Sequence, residues 1–249
     1  MSPASDKRDP GEPFPYYDGD IALQGELFPP AAPANGRAAL VVHEADGIGG
    51  NVRRHCHDLA SRGYFAMAAD MHGGGQPLKG EAMANALQRF REEPDLVRGR
   101  VDAGVEALQR ISGVDLSDSA AIGFCFGGFA ALELARSGAP IAAVASFHGL
   151  LSTARKAKIG QVKARVAVYT GARDPLVPAQ DLGTFQQEMD AADADWQLAI
   201  YGNALHSFTN KDVDALGDPR MAYDERAHHS SWSAMLGFFD QSLGLATPR

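Results

Sequence analysis

The sequence predicts an α/β fold in which an open, mostly parallel β-sheet is covered by helices on both faces. Short, largely apolar runs recur, as at Ala38–Val42 and Val166–Thr170, and strands buried on both faces read this way. Segments of helical character lie between such runs, so that strand and helix alternate to the end of the chain. No internal repeat and no linker interrupts the alternation.

In order, a polar, Pro-rich lead over residues 1–16 precedes Ile21–Phe28, which alternates in strand fashion until Pro29, Pro30 and Pro33 stop it. It reads as an early edge strand. Ala38–Val42 is a strand, followed by a Gly-rich turn, a helix near Val52–Arg62 and a second apolar strand, Tyr64–Asp70. A long helical zone, Glu81–Arg110, is interrupted at Pro94, because proline removes a helical hydrogen bond and clashes with the preceding turn. Ala120–Ile122 is a strand that turns sharply into a helix at Phe129–Arg136. Strands at Ile141–Phe147, Val166–Thr170 and Trp196–Tyr201 complete the sheet, with helices at Ala179–Ala191 and Asp224–Leu243. Leu236, Phe238 and Phe239 form the apolar stripe of the last helix. Residues 17–249 read as a single domain, within the size one core can serve.

Composition narrows the function classes. At 45% hydrophobic and 22% charged residues the chain is ordinary for a globular protein. A net charge of −8 repels nucleic acid and anionic membrane alike, so neither is an expected partner. Two cysteines, Cys56 and Cys125, lie in different predicted elements and make no disulfide framework, which suits a reducing compartment. The first 20 residues hold no apolar run that would serve as a signal peptide or anchor. The expectation is a cytoplasmic protein, monomeric or a small homo-oligomer, acting on a small molecule.

The strongest local signal is Gly123-Phe124-Cys125-Phe126-Gly127-Gly128 at a strand-to-helix junction. It resembles the nucleophile elbow of α/β-hydrolases with cysteine in place of serine. Glycines two residues before and two after leave room for the two arms of so tight a turn. The helix N-terminus aims free N–H groups at the sulfur, which favours thiolate. A buried structural cysteine is the ordinary alternative, and the glycine spacing weighs against it.

An elbow needs an acid and then a histidine later in the chain. Asp174 follows an apolar strand, at the carboxyl end where parallel sheets collect functional side chains. Of the four histidines after Cys125, His148 precedes Asp174, and His228 and His229 lie at the polar start of the last helix. His206, in the loop after the last strand, is left as the base. The segment Val41–Gly50 occupies the place that donates one oxyanion-hole N–H, assigned to Ala45, and the residue after the nucleophile, Phe126, donates the other. His72-Gly73-Gly74-Gly75 resembles a lipase oxyanion motif but follows the next strand, and reads as a rim loop near the site.

Glu44 after the first core strand, the cysteine elbow, Gly171-Ala172-Arg173-Asp174-Pro175 and Gly202-Asn203-Ala204-Leu205-His206-Ser207-Phe208 together resemble the dienelactone hydrolase family, over roughly residues 17–239. The resemblance implies hydrolysis of a lactone or ester by Cys125, His206 and Asp174 with no cofactor and no metal. It also implies that Glu44 lies beside the nucleophile and influences its ionisation. The family prototype carries a carboxylate-binding arginine four residues after the histidine, where this chain has Asn210. A second family arginine is expected in the helical zone, with Arg89, Arg91, Arg98 and Arg100 as candidates; Asn210, Arg89 and Arg91 are the substrate-binding candidates. A general carboxylesterase or thioesterase acting on neutral substrates, and a non-catalytic binding module on the same scaffold, are the alternatives. Arg54-His55-Cys56-His57-Asp58 has metal-ligand residue types at spacings that diverge on a helix, and reads as a solvated helix face.

Overall fold

The computed structural model describes residues 9–244. Eight strands form one sheet in the order β1-β2-β4-β3-β5-β6-β7-β8. The first two, β1 (Glu12–Asp18) and β2 (Ile21–Phe28), form an antiparallel hairpin, and β2 joins β4 (Phe65–Ala69) antiparallel as well. From there the pairing is parallel through β3 (Ala38–Val42), β5 (Ser119–Phe124), β6 (Ala143–Phe147), β7 (Arg165–Gly171) and β8 (Trp196–Tyr201). This is the α/β-hydrolase fold.

Two expectations are corrected at the N-terminal side. The segment read as a polar lead contributes β1 from Glu12 onward, while residues 1–8 lie outside the described residues. Tyr16, in that segment, is 1% exposed, and its hydroxyl both donates to the carbonyl and accepts from the N–H of Asp70, each at 2.9 Å. Ile21–Phe28 is accordingly an inner strand, and β1 takes the edge. Pro13 and Pro15 are two apart, so both missing N–H groups fall on the same side of the strand, which an edge tolerates.

The two faces carry separate cores. On one, α3 (Pro94–Ser112), α4 (Phe126–Ser137) and α5 (Ala179–Ala191) bury Val97, Val101, Leu132 and Phe185 with α2 (Gly80–Glu92) packed beside α3. On the other, α1 (Gly50–Ser61) and α6 (Glu225–Ser242) bury Val52, Leu59, Trp232, Met235, Phe238 and Phe239. The elbow helix α4 is fixed laterally by Arg136, 1% exposed, whose guanidinium pairs with Glu133 and with Glu188 of α5 at 3.0 and 2.9 Å. Removing either partner would strand a buried charge, so the trio locks α4 in one orientation.

The α1 segment expected to be solvated is in fact partly buried, with α6 packed over it. His55 and Cys56 are both buried, and Trp232 donates through its indole N–H to Asp58 at 2.9 Å. Among the described residues no group of three or more potential ligands is placed to hold a metal. His55 instead joins a chain of hydrogen bonds. Its Nδ1–H donates to the Asn51 carbonyl at 2.8 Å, and its Nε2 faces the Nε2 of His228 at 3.2 Å, with the Tyr223 hydroxyl on the far nitrogen of His228. Burial, then the neighbouring His228, pushes the His55 pKa down to about 3.

That burial sets an acid limit on stability. An unfolded imidazole takes up a proton near pH 6.5, whereas folded His55 stays neutral far below it, so between these values the unfolded chain binds more protons. The contribution is complete above about pH 6.5 and is lost as pH falls, at up to about 1.4 kcal/mol per pH unit. We expect the denaturation midpoint to fall between pH 6.5 and 5, and less steeply in His55→Phe. Equal slopes in the two proteins would refute this assignment.

Candidate active site

The carboxyl ends of β5, β7 and β8 bring three side chains into one row. Cys125 sits between β5 and α4 with φ 53° and ψ −116°, a strained backbone for a residue with a side chain. The strain is enforced by crowding. A Cβ on Gly123 would lie 1.8 Å from the Gly127 carbonyl oxygen, and one on Gly127 would lie 2.2 Å from that of Val42. Only glycine fits at either position, which is why their spacing marks the turn.

His206 Nε2 lies 3.0 Å from Cys125 Sγ, and its Nδ1–H donates to Asp174 Oδ2 at 2.7 Å. Asp174 is fixed in turn by the Leu176 N–H, donated to Oδ1 at 2.8 Å. Backbone bonds between residues 206 and 220–222 anchor the histidine loop. Burial opposes a charge on His206, but the Cys125 sulfur and the Asp174 carboxylate outweigh it, and the pKa rises to about 10. The arrangement favours the charged imidazolium at His206. His148, the other histidine near the elbow, has both ring nitrogens engaged by groups other than the sulfur. Its Nδ1 accepts from the Cys125 N–H at 3.1 Å and its Nε2 meets Thr209 Oγ1 at 2.9 Å, so it braces the elbow against the histidine loop.

Glu44 enters from the end of β3. Its Oε2 accepts from Asn210 Nδ2 at 2.9 Å, while its buried Oε1 has no hydrogen-bond partner among the described residues. Burial, with Asp46 adding repulsion, lifts its pKa to about 7. Asn210 is thus committed to Glu44, and its Oδ1 accepts from the Asp212 N–H at 2.9 Å.

The arginine candidates fall elsewhere. Arg89 is exposed on α2 and pairs with Glu93, and Arg91 is exposed beside it. Arg98 and Arg100 are buried in structural bonds, to Glu133 and the Arg155 carbonyl and to Asp18 and the Met71 carbonyl. The cation that does approach Asn210 is Arg54 of α1, at 3.5 Å from its Oδ1 and held by Asp212 at 2.8 Å. Nothing in the sequence placed Arg54 near Asn210, since its position depends on how α1 packs against the 210–212 loop.

The two oxyanion candidates flank the elbow. The Phe126 N–H is the first of α4, without an intrahelical acceptor. Ala45 lies in the turn closed by the Gly47 N–H on the Glu44 carbonyl at 3.4 Å. In the His72–Gly75 loop the N–H groups of His72, Gly73 and Gly75 are taken by the Asp70 carboxylate at 2.9, 2.9 and 2.8 Å, so they are not free to meet an oxyanion.

Comparison with known proteins identifies the family. The family model for the dienelactone hydrolase family matches residues 23–243. The crystal structure of a dienelactone hydrolase-like promiscuous phosphotriesterase from metagenomic libraries is 35% identical, covers 93% of this chain and 98% of its own, and superposes with a TM-score of 0.84. A Yersinia pestis protein named "Putative carboxymethylenebutenolidase" is 26% identical over 84% of this chain and 79% of its own length. A Bradyrhizobium protein named "Probable 2-oxo-3-(5-oxofuran-2-ylidene)propanoate lactonase" is 28% identical over 87% of this chain and 90% of its own. Since the family match runs from within β2 to just past α6 and takes in every strand that carries the site, the chain belongs to the dienelactone hydrolase family.

Proposed function

We propose that the protein hydrolyses a lactone or carboxylic ester through a cysteinyl thioester on Cys125. The observation that carries this is the contact row Cys125–His206–Asp174, at 3.0 and 2.7 Å, on a strained elbow. The Cys125 thiolate attacks the carbonyl carbon, and the oxyanion is met by the N–H groups of Ala45 and Phe126. Collapse of the tetrahedral species expels the alkoxide, which takes its proton from His206. Water then attacks the thioester, with His206 as base and Asp174 holding its tautomer, and the thiolate leaves. A non-catalytic binding module has no need of such a row.

The test is acid-quenched intact mass after incubation with a small aryl ester. An acyl mass on the Cys125 peptide, labile to hydroxylamine, is the expected result. Turnover by enzyme whose Cys125 is fully alkylated would overturn the reading. A second reading, turnover of phosphotriesters, is supported by the 35% identical neighbour named for that activity. It predicts release of nitrophenol from a diethyl aryl phosphate that disappears in Cys125→Ala, and no release would retire it.

Substrate charge is set around Asn210. An arginine there would bond a substrate carboxylate through charge-assisted bonds worth about 1.5–3 kcal/mol each, but Glu44 lies within its reach and would compete. We expect Asn210→Arg to raise kcat/KM for a carboxylate-bearing lactone by about tenfold while a neutral aryl ester changes little. A wild type already selective for the anion and indifferent to the substitution would move recognition to another cation, Arg54 first.

A further inference from the structure

His43 and His72 take no part in the chemistry described above, yet both imidazoles are turned onto one short piece of backbone. His43 is fully buried at the end of β3. Its Nε2 accepts from the Met71 N–H at 3.1 Å, which leaves the proton on Nδ1, and that Nδ1–H donates to the carbonyl oxygen of Glu44. His72 Nε2–H donates to the next carbonyl, that of Ala45, at 2.9 Å. The two rings lie 4.7 Å apart, and each packs against the Phe126 ring with centroids at 6.0 Å.

A trans peptide is planar, so its N–H points opposite to its C=O. Fixing the Glu44 carbonyl therefore fixes the direction of the Ala45 N–H, and fixing the Ala45 carbonyl holds the next peptide plane. We propose that His43 and His72 are positioning residues which clamp the Glu44-Ala45-Asp46 backbone and thereby aim the Ala45 N–H into the oxyanion hole. The inference rests on the cysteine-hydrolase reading above. Both histidines suit the task because they remain neutral. Burial, then the neighbouring His72, pushes the His43 pKa down to about 4, and burial lowers that of His72 as well. Apart from the two imidazoles, the Glu44 carbonyl is held by the Gly47 N–H at 3.4 Å, a long bond, and a donor that rocks out of line loses most of its value in the transition state. The Phe126 ring, packed on both imidazoles, ties the clamp to the residue that supplies the second N–H.

The test compares two reactions of the same sulfur. Acylation by a 4-nitrophenyl ester builds an oxyanion, whereas alkylation by iodoacetamide displaces iodide and builds none. Both are measured as rates on Cys125 for the wild type, His43→Leu, His43→Asn and His72→Phe. Asparagine keeps an amide N–H near the position of Nδ1, and phenylalanine keeps the ring on Phe126 while removing the donor. We expect His43→Leu and His72→Phe to lower the acylation rate about 10- to 100-fold, expressed in kcat more than KM, below the 10²–10³ of losing an oxyanion donor outright. Alkylation should stay within about twofold of wild type. His43→Asn should recover most of the acylation rate. If His43→Leu does not fold, His72→Phe and His43→Asn decide the matter. Acylation and alkylation falling together, or neither falling, overturns the clamp. A wild type that forms no acyl adduct on Cys125 overturns the cysteine-hydrolase reading itself.

Discussion

Cys125→Ala is expected to lower ester turnover by about 10⁴-fold or more while the protein stays folded and nearly as stable. Alanine removes one sulfur from a turn whose strain lies in its backbone, at φ 53°, and whose crowding comes from Gly123 and Gly127. The Cys125 N–H bonds to the Phe147 carbonyl and to His148 Nδ1 are made by the main chain and survive the substitution. The measurement is kcat/KM on an aryl ester together with the thermal midpoint. Iodoacetamide should inactivate the wild type in step with modification of Cys125. Cys56 is fully buried, with its thiol pKa raised well above its ordinary value by burial, and should remain unmodified in the folded protein. Full activity in Cys125→Ala, or inactivation that tracks Cys56, would refute the nucleophile assignment.

The second large effect is expected at His206 and Asp174, and it should be unequal. His206 stands between the sulfur and the carboxylate and is the group through which protons move, so His206→Ala should cost roughly 10⁴-fold or more in kcat. Asp174→Asn keeps the side-chain shape but changes what faces His206 Nδ1. An amide that donates there would favour the tautomer with its lone pair on Nδ1, and would remove a charge that helps raise the His206 pKa. Its cost should therefore be large, up to about 10⁴-fold, and no greater than that of His206→Ala. The pH profile separates the two roles: Asp174→Asn should shift the histidine-dependent limb of kcat, whereas His206→Ala should abolish it. Wild-type turnover in both variants would refute the row. His148 would be a poor substitute, because its nitrogens are already engaged by the Cys125 N–H and Thr209.

How much of this was legible depended on whether a feature is local in the chain. The elbow was readable because two glycines, two residues either side of Cys125, encode a turn whose arms touch; the structure shows each glycine pressed against backbone. Asp174 and His206 were readable from their order and from the apolar strands before them, since parallel strands deliver their following loops to the same end of the sheet. The strand at Glu12 was missed because its prolines read as a lead, and an edge strand hides its pairing from local sequence. Nothing within α1 announces that α6 will cover His55 and Cys56, so a solvated face is all its local pattern can suggest.

The sequence by itself therefore determined the alternation of strands and helices, the tight turn at Cys125 and the chain order of the three residues that meet in the row. Each is written in neighbouring residues or in chain order, which backbone sterics and sheet connectivity translate directly into space. Tertiary packing alone decided which side chains surround that row. It committed Asn210 to Glu44, brought up Arg54 rather than Arg89 or Arg91, and set His43 and His72 on the Ala45 loop. These contacts join segments as far apart as 166 residues, and their partners are chosen by burial and by the need of each buried polar group for a hydrogen bond, which no local pattern records.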